Sequence, residues 1–374
     1  MERIMALRLD PEKPLAGDIR VVENAILVPW GEGKRQGMAR PAGVFTADGE
    51  YCADAQTYRS GGKPTTVEPH FPSEDQIDRT VAGTMLYAGM SYGHFGHALC
   101  ESLARLWAVD VFDEPIDALA FIPKQQMTWP ERSLSMVKNI TDRFGDLPRH
   151  TAFNKPTRIE RLVIAPQGFG TSGLMVGCPE MRDFTDRRLR QTVKPAGPDK
   201  IYITRSGLFR KRGRFLMEDY IEAKMEAEGF TIFHPQAHDL ETQLAWYKGA
   251  SVIVSTDNSA LHLAAFVIPP DCRIGILLRR PGTIFEDFTL QLKWFAGVVP
   301  DVVDACTRFW FRTGEKVQYN ELYALIDFAK TSRALKDAGL IENADWVNPS
   351  EKDIKDAVKT LEAESDIAFE EIFL

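Results

Sequence analysis

The sequence predicts an α/β protein built of two doubly wound domains and a helical C-terminal tail. Three observations carry that prediction. Short apolar runs bounded by turn residues alternate with segments of helical spacing, the pattern of parallel strands joined by crossover helices. A break rich in proline and glycine, Lys194-Pro195-Ala196-Gly197-Pro198-Asp199, separates two such patterns. From about Asp301 the alternation gives way to helical spacing, chiefly over residues 320–335 and 350–369. The expected divisions are therefore a first domain at 1–193, a second at 199–300, and a helical tail at 301–374 that can pack back on the first. A cleft between the two domains is the place expected for a site.

In chain order, residues 19–60 read as short strands: Ile19-Arg20-Val21-Val22, then 25–30, then Gly43-Val44-Phe45 before an Asp48-Gly49 turn. Residues 60–72, rich in Gly, Pro and Thr, read as a loop. The stretch from Tyr92 to Trp107 opens on glycines and passes into helical spacing. There His97, Glu101 and Arg105 recur every fourth residue, which places them on one stripe of a helix, while Leu99, Leu103, Leu106 and Trp107 form an apolar face. Strands follow at 118–122 and 159–164 and helices at 131–144 and 181–192. Beyond the break, strands are expected at 200–204, 230–233, 251–255 and 273–278. Helices are expected at 218–228, 240–248 and 259–266. The last helix opens with Ser350 as N-cap and Asp353 in its first turn.

A chain of 374 residues with 44% hydrophobic and 26% charged residues is of ordinary globular composition. Its formal charge of -8 argues against a general nucleic-acid binder, which needs a basic face. No apolar run reaches the length of a membrane helix, and the charged start Met1-Glu2-Arg3 does not resemble a signal peptide. Five scattered cysteines (Cys52, Cys100, Cys178, Cys272 and Cys306) fit reduced thiols and give no zinc spacing. The cytoplasm is the expected compartment, with peripheral association at the inner membrane face allowed.

Two stretches of the second domain suit an anion. Thr204-Arg205-Ser206-Gly207-Leu208-Phe209-Arg210-Lys211-Arg212-Gly213-Arg214 leaves a strand end, where ligands of parallel sheets bind. Arg205, Arg210 and Arg212 can meet a phosphate there, although a solvated charged loop is the plain alternative. Ser255-Thr256-Asp257-Asn258-Ser259 runs from a buried strand into a helix bearing His262, and hydroxyls with free N–H groups can cradle a diphosphate. The same residues read equally well as a capped helix with a core histidine. In the first domain His97 and Glu101 form a base-and-orienter pair, or Glu101 is itself the base. Arg105 either orients an acceptor or pairs with Glu101 structurally, and His94 lies in flexible backbone where a ligand can approach. No Asp-x-Asp is present, so no metal and no cofactor is expected, and arginines would have to neutralise a leaving diphosphate.

These stretches together resemble glycosyltransferase family 61. Gly96-His97, Glu101 and Arg105-Leu106-Trp107 match its N-terminal hallmark, and Lys200-Ile201-Tyr202-Ile203-Thr204-Arg205 its middle strand. Gly229-Phe230, Gln243 and the strand from Ala250 to Val254 match the following pattern. The last hallmark, usually Gly-Pro-His-Gly-Ala-Ala-Leu, reads Ser255-Thr256-Asp257-Asn258-Ser259-Ala260-Leu261, with Asp257 at the histidine's place. That variant, followed by His262-Leu263-Ala264-Ala265, is similar to the phosphate-site helix of heptosyltransferases. The resemblance covers about residues 85–285. It implies a GT-B fold and an inverting, metal-independent hexosyl- or pentosyltransferase of polysaccharide or capsule biosynthesis. The donor it implies is a nucleotide sugar, UDP-linked by analogy, and the acceptor a glycan, lipid-linked or polysaccharide hydroxyl. The alternatives are a nucleotide-sugar hydrolase or epimerase using the same anion cradle, and a non-catalytic protein that binds a glycan or a partner.

Overall fold

The computed structural model describes residues 8–33, 39–59, 62–208, 212–283 and 285–374. The chain divides into two compact units, Met1–Thr192 and Val193–Leu374. The first unit holds strands β1 (Arg20–Val28), β3 (Gly43–Phe45), β7 (Arg79–Ser91), β8 (Ala118–Pro123), β9 (Arg149–Ala152) and β10 (Thr157–Ile164) in one mixed sheet, ordered β3-β1-β10-β7-β8-β9. Strands β10, β7, β8 and β9 run parallel, and β1 and β3 extend the sheet in antiparallel pairing. Two small ladders lie outside it: β2 (Arg40–Pro41) with β6 (Thr66–Val67), and β4 (Tyr58–Arg59) with β5 (Lys63–Pro64). The helices of this unit are α1 (Phe95–His97), α2 (Leu134–Thr141) and α3 (Pro179–Thr185).

Strand β7 is the centre of the first unit and went unread in the sequence. Its last eight residues are all buried, because both sheet faces are covered and the polar alternation that marks a half-buried strand is absent. Gly83 and Gly89 within it take positive φ, and the pairing with β8 shifts register between Tyr87 and Gly89. A side chain at Gly89 would place its Cβ 3.2 Å from Nη1 of Arg105, so the glycine also makes room for that guanidinium.

The second unit opens with the run expected as a linker, which is fastened down. The Ala196 N–H donates to the Ala245 carbonyl at 3.0 Å, Lys248 Nζ donates to the Val193 carbonyl at 2.6 Å, and Gly197 takes φ +86° against Trp246. Strands β11 (Lys200–Ile203), β12 (Thr231–Phe233), β13 (Val252–Thr256), β14 (Arg273–Leu277) and β15 (Asp301–Val303) form an all-parallel sheet ordered β12-β11-β13-β14-β15. Helices α4 (Glu218–Ala227), α5 (Leu240–Gly249), α6 (Ala260–Ala264) and α7 (Phe285–Gln291) connect them. The chain moves outward in both directions from β11 and β13, so the sheet's switch point lies between those two strands.

The segment after Asp301, expected as mostly helical, is a mixture of strands and helices. Besides β15 it gives β16 (Cys306–Arg312), β17 (Tyr323–Ile326) and β18 (Phe369–Ile372), an antiparallel sheet ordered β17-β16-β18, with helices α8 (Phe328–Asp337) and α9 (Glu351–Ser365). Leu322, Leu325 and Ile326 fall at helical spacing, yet every residue of β17 is buried, and in a fully buried run the period does not distinguish strand from helix. Trp310, Tyr323, Phe328, Leu335, Trp346 and Leu361 pack in one core with Tyr202, Ile221 and Val254 of the parallel sheet layer. Helix α9 starts as read, with Ser350 and Asp353 forming a reciprocal capping box.

Candidate active site

In the first unit β7 and β8 end in register, Ser91 opposite Pro123, and the chain leaves β7 through Tyr92 and Gly93 into α1. The single helix expected within the stretch from Tyr92 to Trp107 is broken. After His97 comes a wide π-type turn, Ala98–Ser102, and the chain then tightens into a 3-10 turn, Leu106–Asp110. Such wide turns rotate the residues beyond them out of the α register. His97 and Glu101 still meet: Nδ1 lies 2.5 Å from Oε1 of Glu101, a carboxylate that is 1% exposed. With Nδ1–H donating to the Glu101 carboxylate, the ring's lone pair is left on Nε2, and the His97 side chain is 40% exposed. Tyr92 stacks on the imidazole at 5.4 Å between ring centres, Lys124 Nζ lies 5.0 Å over the Tyr92 ring, and the exposed His94 ring is 5.3 Å from that of His97. Burial, and then the charge of Glu101, push the Tyr92 phenol pKa well above its usual value. Among the described residues Oε2 of Glu101 and the Tyr92 hydroxyl, both buried, make no well-formed hydrogen bond.

Arg105 does not join this group. Its fully buried guanidinium donates to the carbonyls of Ala165 at 2.9 Å and Gln56 at 2.8 Å and lies over the Tyr87 ring. That bonding ties the turn after α1 to the end of β10 and to the loop before β4, a structural arrangement.

In the second unit three adjacent parallel strands end in charged residues. After β11, Arg205 donates its backbone N–H to Oε1 of Glu218 at 2.8 Å and its Nε to the Gly213 carbonyl at 2.8 Å. After β13, Asp257 is fully buried. After β14, Arg280 Nε donates to Oδ2 of Asp257 at 2.6 Å, while Arg279 places its Nε 3.2 Å from Oδ1. Burial lowers the pKa of Arg279 and of Arg205 from the usual arginine value. The carboxylates of Asp257 and Glu218 oppose this, whereas Arg280 reinforces it on both and Arg212 on Arg205. Four guanidiniums (Arg205, Arg212, Arg279 and Arg280) therefore share a neighbourhood with two buried carboxylates, an excess of positive charge at the switch point of a parallel sheet.

Arg279 and Arg280 were missed in the sequence, although their signal was the one that singled out Arg205: basic residues directly after an apolar strand. Of the residues that were read, Arg212 is exposed, and Arg210 lies outside the described residues. Ser255, Thr256 and Asn258 bond mainly to one another. Asn258 Nδ2 donates to the Thr256 carbonyl at 2.9 Å and to Ser255 Oγ at 3.1 Å, while its Oδ1 accepts the Ala260 N–H at 2.8 Å. Helix α6 is only five residues long, so its dipole is small, and Ser259 is half-buried at its start with no side-chain cap. His262 faces inward: Nδ1 lies 2.7 Å from Oε1 of Gln291, Gln291 Nε2 donates back to the His262 carbonyl, and the ring lies 4.6 Å from that of Phe288.

Among the described residues no three His, Cys, Asp or Glu side chains come together as a metal cluster, and no helix is long and apolar enough to cross a membrane. No curated protein matches the chain in sequence. Residues 95–275 match the family model Glycosyltransferase 61, a span that runs from α1 to the middle of β14 and takes in His97, Glu101, Arg205 and Asp257 but stops short of Arg279 and Arg280. Over that segment, a little under half of the chain, the sequence is that of glycosyltransferase family 61.

Proposed function

We propose that this protein is an inverting glycosyltransferase that moves a sugar from a nucleoside-diphosphate donor, UDP-linked by analogy, to a hydroxyl of a glycan, lipid-linked or polysaccharide acceptor. The observation that carries the donor half is the ending of β11, β13 and β14 in Arg205, Asp257 and Arg279-Arg280. A leaving diphosphate gains one further negative charge as its bond to the anomeric carbon breaks, and guanidiniums fixed beforehand stabilise that charge without reorganising. In this reading Arg205 and Arg280 meet the diphosphate, Asp257 holds Arg280 in place, and no metal is needed. His97 is the base. Its Nε2 takes the acceptor proton, the oxygen so freed attacks the anomeric carbon, and Glu101 stabilises the imidazolium through Nδ1.

Calorimetry of the full chain against UDP, GDP, ADP and CMP tests the donor half, and a failure to bind any of the diphosphates overturns it. The catalytic half is tested by His97→Ala and Glu101→Gln, each expected to lower transfer by roughly 100-fold or more while leaving UDP affinity unchanged. Equal loss of transfer and of UDP binding would assign the pair a structural role instead.

A further inference from the structure

Three buried polar atoms of neighbouring side chains in the first unit make no well-formed hydrogen bond among the described residues: Oε2 of Glu101, the Tyr92 hydroxyl and Oγ1 of Thr65. Glu101 and Tyr92 are buried, as is Thr65, so bulk water does not reach these atoms. The phenol is the middle member. Burial pushes its pKa up most, followed by the charge of Glu101 and the bond to that carboxylate, whereas the Thr65 hydroxyl and the charge of Arg59 act the other way. Those signs give both contacts a direction. A phenol that donates to a carboxylate is held protonated, and a phenol oxygen that accepts a bond is helped to ionise. The order is therefore Thr65 to Tyr92 to Glu101, with His97 on the far oxygen of the carboxylate at 2.5 Å.

Each member is held in place by other means, which leaves its polar tip to the chain. Thr65 joins β5 to β6; its N–H donates to the Thr57 carbonyl at 2.7 Å and its carbonyl accepts the Arg40 N–H at 3.0 Å. Tyr92 is held by its ring, stacked on His97 with 24° between the planes, and by its N–H, which donates to Ser102 Oγ at 3.2 Å. The other titratable neighbours meet rings: Lys124 lies over Tyr92, and His94 lies beside His97. A buried carboxylate oxygen without a donor is costly, and catalytic hydrogen bonds are commonly loose before a substrate is seated. We propose that Tyr92 and Thr65 are positioning residues of the His97–Glu101 pair: the Thr65 O–H donates to the phenol oxygen and the Tyr92 O–H to Oε2 of Glu101, which fixes the carboxylate plane with Oε1 on Nδ1. This rests on the reading of His97 as the base. The phenol keeps its proton, and the one proton moved is that taken by Nε2 from the acceptor. The two small ladders outside the main sheet thereby gain a task, carrying Thr65 into place. Thr65 and Tyr92 both precede the span that matches the family.

The test combines proton NMR of the full chain with steady-state kinetics. The Nδ1–H of His97 is assigned as the downfield resonance that His97→Ala removes. Tyr92→Phe keeps the stacked ring and deletes the O–H. It should move that resonance and lower kcat about tenfold, with KM and UDP affinity unchanged. Thr65→Val should move the resonance less and lower kcat about threefold, and Thr65→Ser, which restores a hydroxyl, should recover the loss. The Thr65 pair decides the matter if Tyr92→Phe fails to fold. A resonance that neither Tyr92→Phe nor Thr65→Val moves overturns the proposal, as does a loss of transfer matched by an equal loss of UDP affinity. A wild type that transfers no sugar would overturn the reading of His97 as the base instead, and the resonance would still decide the hydrogen bonds.

Discussion

Asp257→Asn removes the one carboxylate shared by two arginines at the end of the parallel sheet. In the native protein Asp257 is fully buried, Arg279 is 3% exposed and Arg280 is 12% exposed, so neither guanidinium can turn to water for compensation. Arg279 would retain the Asn320 carbonyl at 3.2 Å as a partner, and its backbone N–H would retain a neutral acceptor in place of a charged one. Breaking one side of a buried ion pair costs about 3–5 kcal/mol. The asparagine oxygen can still accept from Arg280, so the lower end, about 3 kcal/mol, is expected. For a unit of this size, that corresponds to a fall of roughly 6–12 °C in Tm. The assay is thermal unfolding by circular dichroism of wild type and variant, with and without inorganic pyrophosphate. Pyrophosphate supplies the negative charge the variant lacks and should restore part of the loss. A variant melting within about 1 °C of wild type, or one that pyrophosphate leaves unmoved, would refute the reasoning that Asp257 balances a real excess of positive charge.

Other consequences follow from the same structure. Arg280→Gln should weaken UDP binding about tenfold or more, the loss of one charge-assisted contact, and the affinity of the wild type should fall as salt is raised; calorimetry at two ionic strengths reads both. Arg105→Met should lower stability by about 3 kcal/mol in urea unfolding, because the buried carbonyls of Ala165 and Gln56 lose their donor; a drop in transfer with unchanged stability would instead place Arg105 on the acceptor. Asp327 caps α8 by accepting the Lys330 N–H at 2.8 Å, chiefly through which its carboxyl is held below the usual pKa. Its contribution is therefore fully present above the ordinary carboxylate range and is lost as pH falls through the depressed value. Asp327→Ala should cost about 1 kcal/mol near neutrality and progressively less in acid, read from urea unfolding at several pH values.

Much of the second unit was legible from order along the chain. An apolar run, a basic turn and a helical segment recur there at the spacing of crossover connections, and each strand is short enough for its type to be read from its bounds. Arg205 and Asp257 were readable for that reason, since a polar residue directly after a buried strand has to lie at the sheet's edge. The approach of Glu101 to His97 was also readable, because four residues span one turn in an α-helix and in the opening of a π turn alike. The central strand β7 was not, since a strand covered on both faces carries no alternation and its Gly, Ala and Met favour no strand locally. The direction of Arg105 was lost to the π turn, a change of one residue in helical register that no periodicity announces.

What the sequence determined by itself was the class of the fold, the alternating order of the second unit's elements, and the family of the span from 95 to 275. What only the tertiary structure decided was which charges stand together. Asp257 belongs to Arg279 and Arg280, more than twenty residues away, because β13 and β14 are neighbours in the sheet and end in register at Thr256 and Leu277. His262, a residue of equal promise on paper, turns inward to Gln291 because the short α6 presents it to α7. Local chemistry fixes what a side chain can do, whereas its partners are set by strand order, which is a property of the whole sheet.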